Sequence, residues 1–196
     1  LSDLPILVKL IDAQQDLSIQ VHPSDEHAKR LENLPKGKME FWYVLDANKD
    51  SKLVYGLNHK LTTKQLSESI SDRSIEKYLQ KIPVKKGDIF FVNPGTIHAI
   101  GAGVLIAEIQ QNSNITYRLY DYDRIDKNGH KRELHIEKAL KVANLEESSI
   151  PKQPMRVLKY QKGCATELLS RCKYFQVERL LINTERTRIL YETAST

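Results

Sequence analysis

The sequence has 196 residues, 40% of them hydrophobic and 28% charged. That is about 1.3 times the usual allowance of roughly 150 residues, so one domain, or one and part of a second, is expected, and the composition excludes a disordered, collagen-like or coiled-coil chain. Lys and Arg number 30 against 25 Asp and Glu, a formal charge of +5, which admits an anionic partner; with the basic residues scattered rather than striped with aromatics, a phosphorylated small molecule suits the surplus better than nucleic acid.

The first 125 residues are mostly short β-branched or aromatic runs between turn residues, the pattern of an all-β sandwich or barrel. Strands are expected at Ile6 to Ala13, Leu17 to His22, Glu40 to Ala47, Lys52 to Gly56, Ile89 to Val92, Val104 to Gln110 and Ile115 to Tyr120. Ser24, followed by Asp25 and Glu26, reads as the cap of a short helix to Glu32. Helices at Lys64 to Ser71 and Ser74 to Gln80 form an insertion over residues 62–81, and His135 to Ala143 has helical spacing. Asn128-Gly129 marks an exposed turn. Residues 146–165, with two prolines and no periodicity, read as a linker; strands resume at Phe175 to Ile182 and Ile189 to Tyr191. No apolar run reaches the roughly 18 residues of a membrane span, so a soluble chain is expected. Cys164 and Cys172 have no metal or redox spacing and read as free thiols of a cytoplasmic protein.

Strand alternation sorts the side chains that can do chemistry. In LSIQVHP, Ser18, Gln20 and His22 share one face and Leu17, Ile19 and Val21 the other; the polar face points either into a cavity or to solvent. In KMEFWYVL, Lys38 and Glu40 share a face with Trp42 and Val44, and a carboxylate there is costly to bury unless paired or coordinated. In GDIFFVNPGTIHA, Pro94-Gly95 turns the chain so that His98 re-enters at the barrel mouth. Ile106, Glu108 and Gln110 share a face of the following strand. Gln20, His22, Glu40 and His98 therefore offer two imidazoles, a carboxylate and an amide oxygen, a donor set that suits catalytic Zn²⁺ and also accepts Mn²⁺, Fe²⁺ or Co²⁺. Taken singly, each piece has a plainer reading as a solvated strand face or strand end.

Together, SIQVHPSDEHA, GKMEFWYVL and KKGDIFFVNPGTIHAIGAGVLIAEIQQNSNITYRLYDYDR, in that order, resemble the type I mannose-6-phosphate isomerases (phosphomannose isomerases) of the short bacterial kind, members of the cupin superfamily. The resemblance runs from about Leu4 to about Leu145. It implies a mainly β fold: a cupin (jelly-roll) β-barrel with a few inserted helices, the metal-binding domain at 1–145, and at 166–196 the first strands of a truncated second cupin-like domain. Family members carry a longer amino-terminal segment and a fuller second domain, so the chain is expected to be a piece of a longer isomerase.

The resemblance further implies interconversion of mannose 6-phosphate and fructose 6-phosphate with one Zn²⁺ per chain, in a cytoplasmic enzyme of mannose metabolism that is monomeric or weakly self-associating. It assigns the metal to Gln20, His22, Glu40 and His98, catalysis to Lys38, Glu108 and Arg118, and phosphate contacts to Ser18 and Arg124. Such an isomerisation moves a proton between C2 and C1 through an enediol, so it needs a base, for which Glu108 is the first choice, and an electrophile. A sugar-binding cupin without activity and a metal-dependent cupin oxygenase are the competing expectations.

Overall fold

The computed structural model describes residues 4–151, 153 and 157–182. They divide into two compact units, the first ending at Gln153 and the second starting at Pro154.

Nine strands of the first unit make two antiparallel sheets. One has the order β1 (Ile6–Ala13), β8 (Val104–Gln111), β3 (Glu40–Ala47), β6 (Ile89–Val92); the other has the order β5 (Leu79–Pro83), β4 (Lys52–Leu57), β7 (His98–Ile100), β2 (Ile19–Val21), β9 (Tyr117–Tyr120). Non-sequential strands lie side by side in both, the crossover pattern of a jelly roll. Glu40 lies opposite Gln110 and Val92, and Trp42 opposite Glu108 and Phe90. The period-2 alternation therefore turns Glu40, Trp42, Val44, Ile106, Glu108 and Gln110 inward together. Between the sheets Trp42, Val44, Leu53, Phe90, Val92, Ile100, Val104 and Ile106 form an apolar plug.

The five-stranded sheet is covered on its outer face. Ile19 and Val21 are fully buried with Leu57, Leu66, Ile70, Ile97, Leu119 and Ala139, the last coming from α3 (Ile136–Val142) and Leu66 and Ile70 from α2 (Thr63–Ser71). Burying each such aliphatic side chain is worth about 1.5–3 kcal/mol, enough to fix which face of β2 looks outward. The polar series Ser18, Gln20 and His22 is thereby committed to the interior.

The helix expectations hold at α1 (Asp25–Glu32), where Ser24 accepts from His27 N and Asn33 closes the helix at φ 55, and at α2, where Thr62 and Gln65 make a capping box. Ser74 to Gln80 differs. Only Ile75–Tyr78 is helical, as a single 3₁₀ turn. Leu79 then starts β5, because Leu79 and Ile82 are buried opposite Leu57 and Leu53. The helical insertion thus ends short of residue 81. In the second unit, β10 (Leu158–Gln161), β11 (Cys164–Arg171) and β12 (Gln176–Ile182) form a three-stranded antiparallel sheet. The stretch read as linker therefore contains a strand: Lys162-Gly163, with Gly163 at φ 85, is a hairpin turn. The strand expected at Ile189 to Tyr191 lies outside the described residues. Among the described residues no helix is long and apolar enough to cross a membrane.

Candidate metal centre

Three separate segments converge because their backbones bond to one short stretch. Pro94-Gly95 places Gly95 at φ 88, and Gly95 N donates to His22 O at 2.9 Å. Lys38 N donates to Pro23 O at 3.0 Å, and the neighbouring Gly37 sits so close that a Cβ there would meet Pro23 O at 2.4 Å. Gln20 and His98 are direct cross-strand partners of β2 and β7. His98, His22 and the start of β3 are thus pinned to the same corner of the barrel.

There His22 Nε2 lies 3.1 Å from Glu40 Oε1 and His98 Nε2 lies 3.6 Å from Glu40 Oε2. All three side chains are buried and offer ligand atoms within 4.8 Å of one another. The outer nitrogen of each ring is taken: His22 Nδ1 is 3.0 Å from Ile115 O and His98 Nδ1 is 2.8 Å from Thr96 O. Donation to these carbonyls fixes the tautomer and leaves both Nε2 lone pairs turned inward. Gln20 belongs to the group, its amide nitrogen 3.3 Å from His98 Nε2. In this arrangement it presents nitrogen rather than oxygen, as a bare imidazole nitrogen requires; a half-turn of the amide exchanges the two atoms at little steric cost.

The electrostatics favour the ligand-ready protonation state. Burial pushes both histidines down, His98 to about 4, against the opposing pull of Glu40. Burial alone would raise Glu40, but His22, His98 and Lys38 outweigh it and hold the carboxyl well below its ordinary range. Two neutral imidazoles face one carboxylate. The Lys38 ammonium approaches Glu40 Oε1 to 2.8 Å as an ion pair, and the inward Nε2 of neutral His22 is buried without a donor to satisfy it. A buried nitrogen left unsatisfied costs about 1–3 kcal/mol. A divalent cation ligated by His22, Glu40 and His98 would remove that cost, so the donor set and the unsatisfied His22 nitrogen fit a metal of the zinc type.

Glu108, 4% exposed, lies beside this group. The Trp42 indole N–H reaches both Glu40 Oε2 at 3.1 Å and Glu108 Oε2 at 3.2 Å, and Lys9 Nζ is 3.0 Å from Glu108 Oε1. Two buried carboxylates are thus matched by two ammoniums, Lys38 and Lys9. Sequence reasoning missed Lys9, although a lysine in the inward series Leu7, Lys9, Ile11 of an apolar strand is a readable signal.

A cavity of about 340 Å³ opens onto the group, with Gln20, His98, Trp42, Ser18, Arg118 and Arg132 in its wall. Arg118 Nε is 3.4 Å from Ser18 Oγ. Arg124 is not part of this wall: its guanidinium is bound to the Asp121 carboxylate and the Asp16 carbonyl. Arg132, which no sequence signal singled out, takes that place. His22, Glu40, Lys38 and Glu108 lie behind the wall. A larger cleft of about 610 Å³, lined by Glu32, Lys36, His135 and Lys138 among others, contains no member of the histidine and carboxylate group.

The model of the phosphomannose isomerase type I catalytic domain matches residues 1–38. The mannose-6-phosphate isomerase ManA of Bacillus subtilis is 47% identical over 174 residues, 88% of this chain and 54% of that protein. The chain is a relative of the type I mannose-6-phosphate isomerases. The B. subtilis mannose 6-phosphate isomerase crystal structure superposes with a TM-score of 0.83 at 37% identity, over 92% of this chain and 56% of that one. A mannose-6-phosphate isomerase of Streptococcus mutans is 44% identical over 144 residues, 74% of this chain and 45% of its own length. The chain thus spans about half the length of the type I isomerases it matches, and within that span its mainly β fold is the cupin fold.

Proposed function

We propose that the chain carries the catalytic centre of an aldose–ketose isomerase that interconverts mannose 6-phosphate and fructose 6-phosphate through an enediol-type intermediate. The observation that supports it most is one cavity whose wall carries His98, Gln20, Ser18, Arg118 and Arg132, with His22 and Glu40 buried directly behind His98. Gln20 completes the ligand set, and zinc, one per chain, is the ion that suits it. When bound, the ion polarises the hydroxyl and carbonyl oxygens of the substrate.

The chain's own residues supply the rest. To Glu108, which meets the cavity wall through the Trp42 indole, falls the transfer of the proton from C2 to C1; its oxygens, each with one donor, keep lone pairs for this. Lys38 carries the accompanying proton between O2 and O1. Arg118, a planar fork beside Ser18, holds the developing negative charge. The phosphate falls to Ser18 and Arg132, with Arg132 in the role that sequence reasoning gave to Arg124. In this reading the second unit's sheet belongs to a second cupin-like domain, and the enzyme is cytoplasmic.

Elemental analysis and a coupled assay for fructose 6-phosphate test the reading. We expect close to one zinc per chain and turnover abolished by a chelator. Glu108→Gln is expected to reduce turnover about 10²–10⁴-fold with zinc retained. Stoichiometric binding of mannose 6-phosphate without turnover by the zinc-loaded protein would sink the isomerase and leave a sugar-phosphate-binding cupin.

A further inference from the structure

Asp121 is a buried carboxylate that the reaction does not use. It is 5% exposed and follows directly on β9, which carries Arg118. After it Tyr122 and Asp123 both take left-handed conformations, φ 56 and φ 54, an arrangement non-glycine residues adopt at a cost. This reversal launches a small hairpin closed by an Ile125–Lys131 bridge and by Asp126 N donating to His130 O at 2.8 Å. Both feet of the hairpin return to Asp121. On the outgoing foot Arg124 binds its carboxylate and, through Nε at 3.2 Å, its carbonyl. On the returning foot Arg132 forks onto the same carboxylate, Nε to Oδ2 at 2.7 Å and Nη2 to Oδ1. Burial would raise the carboxyl, but these arginines outweigh it, so Asp121 is ionised at neutral pH.

Resting on the reading of this cavity as a phosphosugar site, we propose that Asp121 is a positioning residue for substrate specificity: it fixes the Arg132 fork in the cavity wall and trims the charge of the arginine cluster to suit a phosphate dianion. A bidentate carboxylate occupies the Nε–Nη2 edge of a guanidinium and freezes its plane, leaving Nη1 free for a ligand. Arg118, Arg124 and Arg132 bring three positive charges and Asp121 one negative, so two remain. A phosphomonoester carries about 1.5–2 negative charges at pH 7. Without Asp121 the arginines repel, since Arg118, lowered first by burial and next by Arg132, loses the opposing pull of Asp121, and the hairpin loses the clamp at its base.

Titration of the zinc-loaded chain with mannose 6-phosphate, inorganic phosphate and mannose, in the wild type, Asp121→Asn, Arg132→Ala and the double variant, tests this. Asp121→Asn is expected to weaken both phosphate-bearing probes about tenfold, with the weak response to mannose and the zinc content unchanged. The double variant is expected to bind no more weakly than Arg132→Ala, because Asp121 acts through Arg132; a purely structural role would give additive losses. If turnover is followed, the change falls in KM rather than kcat. An Asp121→Asn protein that binds mannose 6-phosphate as the wild type does, while Arg132→Ala has lost it, overturns the proposal alone. Undiminished binding by Arg132→Ala overturns instead the phosphate reading of the cavity. Should Asp121→Asn not fold, Asp121→Glu keeps the charge but displaces the fork; a folded Asp121→Glu with undiminished affinity for both phosphate probes is equally fatal.

Discussion

His98 ties the stability of the protein to its protonation. Burial, reinforced by His22, pushes it from the ordinary 6.5 down to about 4, so between these values the unfolded chain takes up a proton that the folded one refuses. Stability from this group is fully present above pH 6.5 and is lost as pH falls toward 4. Thermal melts of the chelator-treated protein from pH 7 to pH 4 are expected to show a falling Tm, and His98→Gln a shallower slope; superimposable slopes would remove His98 as the cause. Trp42 bridges two carboxylates through one N–H. Trp42→Phe preserves most of the ring but strips a donor from buried oxygens, so a loss of about 1–3 kcal/mol in denaturant unfolding is expected, together with weaker zinc retention in competition titrations. Unaltered unfolding would mean that the indole N–H carries no weight there.

The centre is assembled by turns that dock on the His22–Pro23 backbone, and the tightest of these is at Gly37. A Cβ at that position would lie 2.4 Å from Pro23 O and from Ser24 C and 2.6 Å from Asp25 N, all backbone atoms that cannot swing aside. Gly37→Ala is therefore expected to push the start of β3 away from β2, carrying Lys38 and Glu40 with it. Tm should fall by several degrees, as a backbone clash worth about 1–3 kcal/mol does in a domain of this size, and zinc affinity should drop. Equal Tm and affinity would show that the approach is looser than the structure has it. Gly95 acts likewise on the other side, since its φ of 88 lets Pro94-Gly95 bond to His22 O and deliver His98.

For the whole molecule, the residues of the proposed centre all fall within the first unit, between Lys9 and Arg132. That unit has an apolar edge: in β1, which among the described residues pairs with β8 alone, Val8 is 63% and Leu10 73% exposed. An exposed apolar edge strand is a template for association. Concentration-dependent self-association of the chain is expected by light scattering, and Val8→Lys with Leu10→Lys should reduce it; if the paired variant associates as strongly, the edge is not the contact.

The sequence by itself determined the strand pattern, the capped α1 and α2, and the proposed donor set Gln20, His22, Glu40 and His98. These are legible because alternation and capping are local: a period of two residues tells which side chains travel together, and a Ser or Thr before a helix acts within three residues. It did not determine which face of β2 is wet, since that depended on α2 and α3 burying Ile19 and Val21 from far along the chain. Tertiary structure likewise turned Leu79 and Gln80 from the end of a helix into the start of a strand by pairing β5 with β4. It brought Lys9 to Glu108 across the β1–β8 register, and it put Arg132 rather than Arg124 into the cavity wall by folding a hairpin back onto Asp121. Those outcomes rest on contacts between distant residues, whose free energy is set by burial and charge pairing in the finished fold and leaves no periodic trace in the sequence.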